Sequence, residues 1–130
     1  NTLLIKNARL INEGEIREAD VLVRGDRIDH VAASISAPEG SEIIDAAGRF
    51  LMPGMIDDQV HFREPGLTAK GDLATESSGA VAGGFTSFLD MPNVNPLSLT
   101  LEEISAQYAR AEGRCPAIYG FYLGVTNTNI

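Results

Sequence analysis

Apolar positions fall into two regimes along the chain: short runs broken by turn residues up to about residue 50, then longer runs and helical spacings beyond it. Leu3 to Ile11 predicts a strand, and Asn12-Glu13-Gly14-Glu15 a turn. Asp20 to Arg24 and Arg27 to Ala32 flank Gly25-Asp26, the pattern of a tight hairpin, with Val21, Val23, Ile28 and Val31 as its apolar side. Glu42 to Asp45 predicts another short strand, closed by an Ala46-Ala47-Gly48-Arg49 turn. About four short strands predict a small sheet or half of a sandwich, too small to hold a large core alone.

Beyond residue 50 the order becomes strand, loop, helix, strand, helix, strand. Phe50 to Phe62 contains a strand that leads into the loop Arg63-Glu64-Pro65-Gly66. Leu73, Ser77, Ala80 and Val81 share one helical face, and Gly83-Gly84 ends that helix. Phe85 to Leu89 reads as a buried parallel strand. Thr100 and Glu103 have the spacing of a capping box, Leu101, Ile104, Tyr108 and Ala111 line the predicted inner face, and Gly113 is the stop. Ala117 to Val125 is a third apolar strand. Repeated βα units predict an α/β fold with a parallel sheet, either open and doubly wound or part of a closed barrel. No GxGxxG or phosphate loop follows any strand, which weakens the nucleotide-binding version. A (β/α)8 barrel needs roughly 250 residues. The expected domains are therefore 1–50, part of a small β-domain, and 51–130, about three βα units of a barrel in a chain that reads as truncated after Asn127-Thr128-Asn129-Ile130.

Composition narrows the function. The 130 residues are 44% hydrophobic and 22% charged, with a net charge of -8 and basic residues scattered singly. Such a chain has no means of gripping a phosphate backbone, so nucleic acid is not an expected partner. A small anionic substrate stays open, because one buried Arg outweighs a diffuse field. No stretch approaches the ~18 apolar residues of a membrane span, and the start lacks the features of a signal peptide. Cys115 is alone, which predicts a small core residue and a reducing, cytoplasmic setting.

The chemistry concentrates in Gly54 to Gly66, GMIDDQVHFREPG. Alternate residues of a strand share a face, so Asp57, Gln59, His61 and Arg63 are expected to point one way, with Val60 and Phe62 opposite. A polar row at the C-terminal end of a first barrel strand lies where barrel active sites are built. Alternatively, it is the wet side of a surface strand.

PGMIDDQVHFREPG, followed by LTAKGDLATESSGAVAGGFTSFLDMPNVNP, resembles the start of the barrel in dihydroorotases of the amidohydrolase superfamily. LLIKNARLI through EIIDAAGRFLMPG resembles the small β-sandwich domain that precedes those barrels. The resemblance implies a TIM-type (β/α)8 barrel and a zinc-dependent, reversible hydrolysis of the ring amide of dihydroorotate to N-carbamoyl aspartate in pyrimidine biosynthesis. One or two Zn²⁺ ions would lower the pKa of bound water to about 7 and polarise the carbonyl. By the same resemblance His61 is a metal ligand, Asp57 orients the ligands or the strand end, and Arg63 and Asn93 bind the carboxylate of the substrate. Without the resemblance, His61 reads as a hydrogen-bonded core residue, Arg63 as half of a surface ion pair and Asn93 as a turn residue.

Gln59 stands where the family has the first histidine of Asp-x-His-x-His, and an amide oxygen is a poorer zinc ligand than imidazole. The later lysine, two histidines and aspartate general base that the family supplies have no counterpart here, and His30 belongs to the expected β-domain. The expectation is that the fragment alone is inactive. Three functions follow: dihydroorotase, a hydantoinase or dihydropyrimidinase handling rings without the carboxylate, or an inactive dihydroorotase-like subunit supporting a partner such as aspartate transcarbamoylase. Self-association into a homo-oligomer is the family expectation.

Overall fold

Alternating apolar side chains through TLLIKNARLIN form the long strand β1 (Thr2–Asn12), on which the first sheet is assembled. The computed structural model describes residues 1–129. β2 (Glu15–Arg24) returns antiparallel to β1 and β3 (Arg27–Ala32) antiparallel to β2, with Gly25 in the turn at φ 61°. β4 (Glu42–Asp45) and β5 (Phe50–Leu51) pair in parallel with successive parts of β1. The strand order is β3-β2-β1-β4, with β5 also on β1. β5 straddles the junction expected at residue 50, and the compact units are Asn1–Pro53 and Gly54–Ile130.

β1 can serve two partners because it bends. Asn7 adopts a left-handed φ of 54°, and the register slips between Ile5 and Ala8. Asparagine tolerates this conformation better than most residues. Its N–H donates to Asp20 Oδ1 at 2.8 Å, and Asp20 Oδ2 accepts the Ile35 N–H at 2.9 Å. These two backbone donors keep a buried carboxylate charged and pull its pKa below the ordinary value. Leu4, Leu22 and Ile35 form the small core on one side of this sheet.

The second unit is a parallel sheet in the order β6-β7-β8, built from β6 (Met55–Val60), β7 (Phe85–Asp90) and β8 (Ile118–Phe121). α1 (Leu73–Ala82) connects the first two strands and α2 (Leu101–Ala111) the next pair. Both helices open on reciprocal capping boxes, Asp72 with Thr75 and Thr100 with Glu103. Val60, Phe62, Leu73, Phe88, Ala111 and Ala117 pack as one core, with the Phe62 and Phe88 rings 4.6 Å apart. Cys115 lies against this core with its Sγ 3.5 Å from Leu73 O, and burial raises its thiol pKa. α2 keeps part of the expected face, with Ala111 buried and Tyr108 packed on Phe121, but Leu101 is 77% exposed and Gln107 is buried instead. Gln107 is drawn inward because its Nε2 donates to Glu64 O at 3.0 Å. The third strand is also shorter than the apolar run, since beyond Phe121 the chain bonds the loop before α2 through Gly124 N–H and Ser98 O at 2.8 Å. Among the described residues no helix is long and apolar enough to cross a membrane.

Candidate functional site

The C-terminal ends of β6 and β7 are joined residue by residue, which fixes what stands above them. Met91 N–H donates to Val60 O at 3.0 Å, and Phe62 N–H to the side chain of Asp90 at 3.1 Å. Asn95 N–H then reaches Pro65 O at 3.0 Å. Two loops that are distant in sequence are thus held side by side. His61 rises from one and Asn93 from the other, with His61 Nδ1 2.9 Å from Asn93 Oδ1.

The expected row of four residues survives only in part. From Gln59 to Phe62 burial alternates as predicted, with Gln59 and His61 exposed and Val60 and Phe62 buried. Before Gln59 the alternation breaks. β6 places two residues between Asp57 and Val60 where β7 places one between Phe88 and Asp90. Residues paired across neighbouring strands project to the same face, so this bulge takes Asp57 out of the Gln59–His61 row. Its Oδ1 accepts the Gln59 N–H at 3.1 Å, and no bond joins it to His61 among the described residues. Arg63 lies beyond the end of the strand. Its backbone is left-handed at φ 71°, a conformation that costs an L side chain about 1–2 kcal/mol. It is half-buried, and no ion pair engages its guanidinium among the described residues. Gln59 borders a shallow hollow with Met91, Pro92 and Tyr122, whose lining does not include His61, Arg63 or Asn93.

Two acidic residues escaped the sequence reading. Glu64 takes Arg114 in a bidentate pair at 2.7 and 3.0 Å and accepts the Leu73 N–H at 3.0 Å. The guanidinium and this N–H hold its carboxyl below the usual range. Glu64 thereby fastens the loop after β6 to the start of α1 and to the turn after α2. Asp90 is 1% exposed, and its Oδ2 has no partner among the described residues. Burial pushes its pKa up to about 6, against the pull of the Phe62 and Met91 N–H groups and the nearby charges of His61 and Arg63. An acidic residue closing the apolar run FTSFLD was the available signal.

The metal implied by the resemblance can be tested on the donors. Zinc takes three or four protein ligands. Here one carboxamide stands on β6 and one imidazole just past its end, and no three His, Cys, Asp or Glu side chains converge among the described residues. The residues present do not by themselves fit a zinc ion.

The family model described as dihydro-orotase-like matches residues 48–126. A dihydroorotase from Pediococcus pentosaceus is 46% identical over 104 residues, 80% of this chain and 24% of that protein. One from Pelobacter propionicus is 44% identical over 114 residues, 86% of this chain and 26% of that protein. Among solved structures, the L-hydantoinase of Arthrobacter aurescens superposes with a TM-score of 0.92 at 33% identity, covering 98% of this chain and 28% of that one. The dihydropyrimidinase of Brevibacillus agri gives 0.86 at 30% identity, covering 99% and 28%. The chain spans about a quarter of the length of the curated relatives it matches.

Proposed function

The chain belongs to the dihydro-orotase-like family, and on that premise we propose that it forms the opening segment of a cyclic amidohydrolase acting on dihydroorotate. The reaction is the reversible opening of the ring amide to N-carbamoyl aspartate, a step of pyrimidine biosynthesis. The observation that carries this reading is Arg63. A guanidinium with no ion pair among the described residues sits on a left-handed backbone beside the His61–Asn93 pair. Strain of this kind persists where the surroundings impose it, and it clusters at ligand clamps.

The planar fork of Arg63 suits the exocyclic carboxylate of the substrate. Asn93 spends its Oδ1 on His61, and its Nδ2 is left to donate to the same carboxylate. Glu64, Arg114 and Gln107 hold the loop that carries Arg63, so the clamp is in place before substrate arrives. Zinc belongs to this reading as one or two ions, with His61 supplying one ligand and the rest coming from outside these residues. Gln59 occupies a ligand position with a weaker donor, and Asp57 supports the strand end through Gln59. The sister reading, a hydantoinase or dihydropyrimidinase, leaves Arg63 without a carboxylate to hold.

A second reading is favoured by Gln59, whose amide oxygen is a weaker zinc donor than imidazole. It is a dihydroorotase-like subunit that supports a partner such as aspartate transcarbamoylase without hydrolysing anything. The test uses a polypeptide of the relatives' full length that carries these residues, supplied with zinc. Formation of N-carbamoyl aspartate from dihydroorotate is expected. A folded, pure protein that gives no product with dihydroorotate in either direction overturns the hydrolase and leaves the supporting subunit.

A further inference from the structure

The contact between His61 Nδ1 and Asn93 Oδ1, at 2.9 Å, constrains the imidazole. A carboxamide oxygen carries lone pairs and no hydrogen, so it can only accept. The proton between the two atoms must therefore sit on Nδ1. In a neutral imidazole only one nitrogen bears hydrogen, and Nε2 is then a bare lone pair. We propose that Asn93 is the positioning residue that locks His61 in its Nδ1–H tautomer, presenting Nε2 as the acceptor.

Two observations make the lock more than a chance approach of exposed side chains. First, His61 has no other side-chain hydrogen bond among the described residues, so this is the contact that orients the ring there. Secondly, Asn93 is delivered by backbone held on both sides. Met91 N–H is bonded to Val60 O and Asn95 N–H to Pro65 O, each at 3.0 Å, and Val94 is buried at 4% exposure. The loop on which Asn93 rides is thus sewn to the strand end that carries His61. An amide turned over would set Nδ2 against Nδ1 and demand the opposite tautomer, so the tautomer itself reports the arrangement. No bound ring compound is needed for any of this.

The experiment is nitrogen NMR on the full chain labelled at histidine. The chain has two histidines, and His30 lies exposed on β3, so His30→Gln assigns the signals. Spectra are read on the pH plateau where the rings are neutral. His61 is expected to show a protonated Nδ1 and a lone-pair Nε2. Asn93→Asp keeps an acceptor oxygen and is expected to keep this pattern. Asn93→Ala, and Asn93→Leu with similar bulk but no oxygen, are expected to shift it toward the Nε2–H form while His30 stays unchanged. A protonated Nε2 in the unmodified chain, or an identical His61 pattern in Asn93→Ala and Asn93→Leu, overturns the lock. Failure of dihydroorotate turnover leaves these signals unaffected, so the two ideas fall separately.

Discussion

Replacing Asp90 by asparagine should stabilise the second unit at neutral pH. Asp90 is 1% exposed, and its Oδ1 accepts the Phe62 N–H while Oδ2 has no partner among the described residues. Burial raises its pKa from 3.8 to about 6. Below 3.8 the carboxyl is protonated in both folded and unfolded chains and has no differential effect. Between the two values the unfolded chain releases the proton and the folded chain keeps it, so stability falls as pH rises and levels off above about 6. At about 1.36 kcal/mol per pH unit the gap comes to about 3 kcal/mol. Asparagine retains an oxygen for the Phe62 N–H and carries no charge. The difference between Asp90→Asn and the parent, from urea unfolding at a series of pH values, should therefore grow by about 3 kcal/mol between pH 3 and 7. Tyrosine fluorescence suits the assay, since Tyr108, Tyr119 and Tyr122 all lie in the second unit and there is no Trp. The other carboxylates cancel in the difference. A difference that stays flat with pH, or shrinks as pH rises, refutes the reasoning.

Three further predictions follow from the same loops. Arg63→Gly should relieve the left-handed strain at φ 71° and leave the unfolding free energy in urea equal or higher by about 1 kcal/mol, while abolishing affinity for carboxylate ring compounds in titration calorimetry. Gly66→Ala should cost several times more than Gly48→Ala in the same unfolding assay. Both have positive φ, but an added Cβ at Gly66 meets the Asn95 backbone whereas at Gly48 it meets open space, where only about 1–2 kcal/mol of strain remains. Glu64→Gln should lower stability by about 2 kcal/mol at pH 7, as the charged bonds to Arg114 weaken. Because the Glu64 pKa is lowered on folding, the parent's advantage should be full above 4.5 and fade as pH falls through the folded value.

Much of this architecture is legible in the sequence. Period-two runs locate the strands, and the Thr100–Glu103 spacing places a helix start where both reciprocal bonds form. What escapes is information carried by a neighbour. The bulge that removes Asp57 from the Gln59–His61 row is a mismatch with β7, invisible in β6 alone. The inward turn of Gln107, which leaves Leu101 exposed, follows from a carbonyl 43 positions earlier. His61 and Asn93, 32 positions apart, read as separate candidates and prove to be hydrogen-bonded to each other. Asp90 looks like the polar end of a strand until its burial beside Phe62 is seen.

The clamp on a ring carboxylate is tested most directly by kinetics in a polypeptide of the relatives' full length bearing these residues. The ratio of kcat/KM for dihydroorotate to that for dihydrouracil is measured before and after Arg63→Ala. Losing a bidentate charged contact of about 3 kcal/mol should collapse that ratio roughly a hundredfold, with dihydrouracil little changed. An equal fall for both rings, or a parent enzyme that prefers dihydrouracil, contradicts the account.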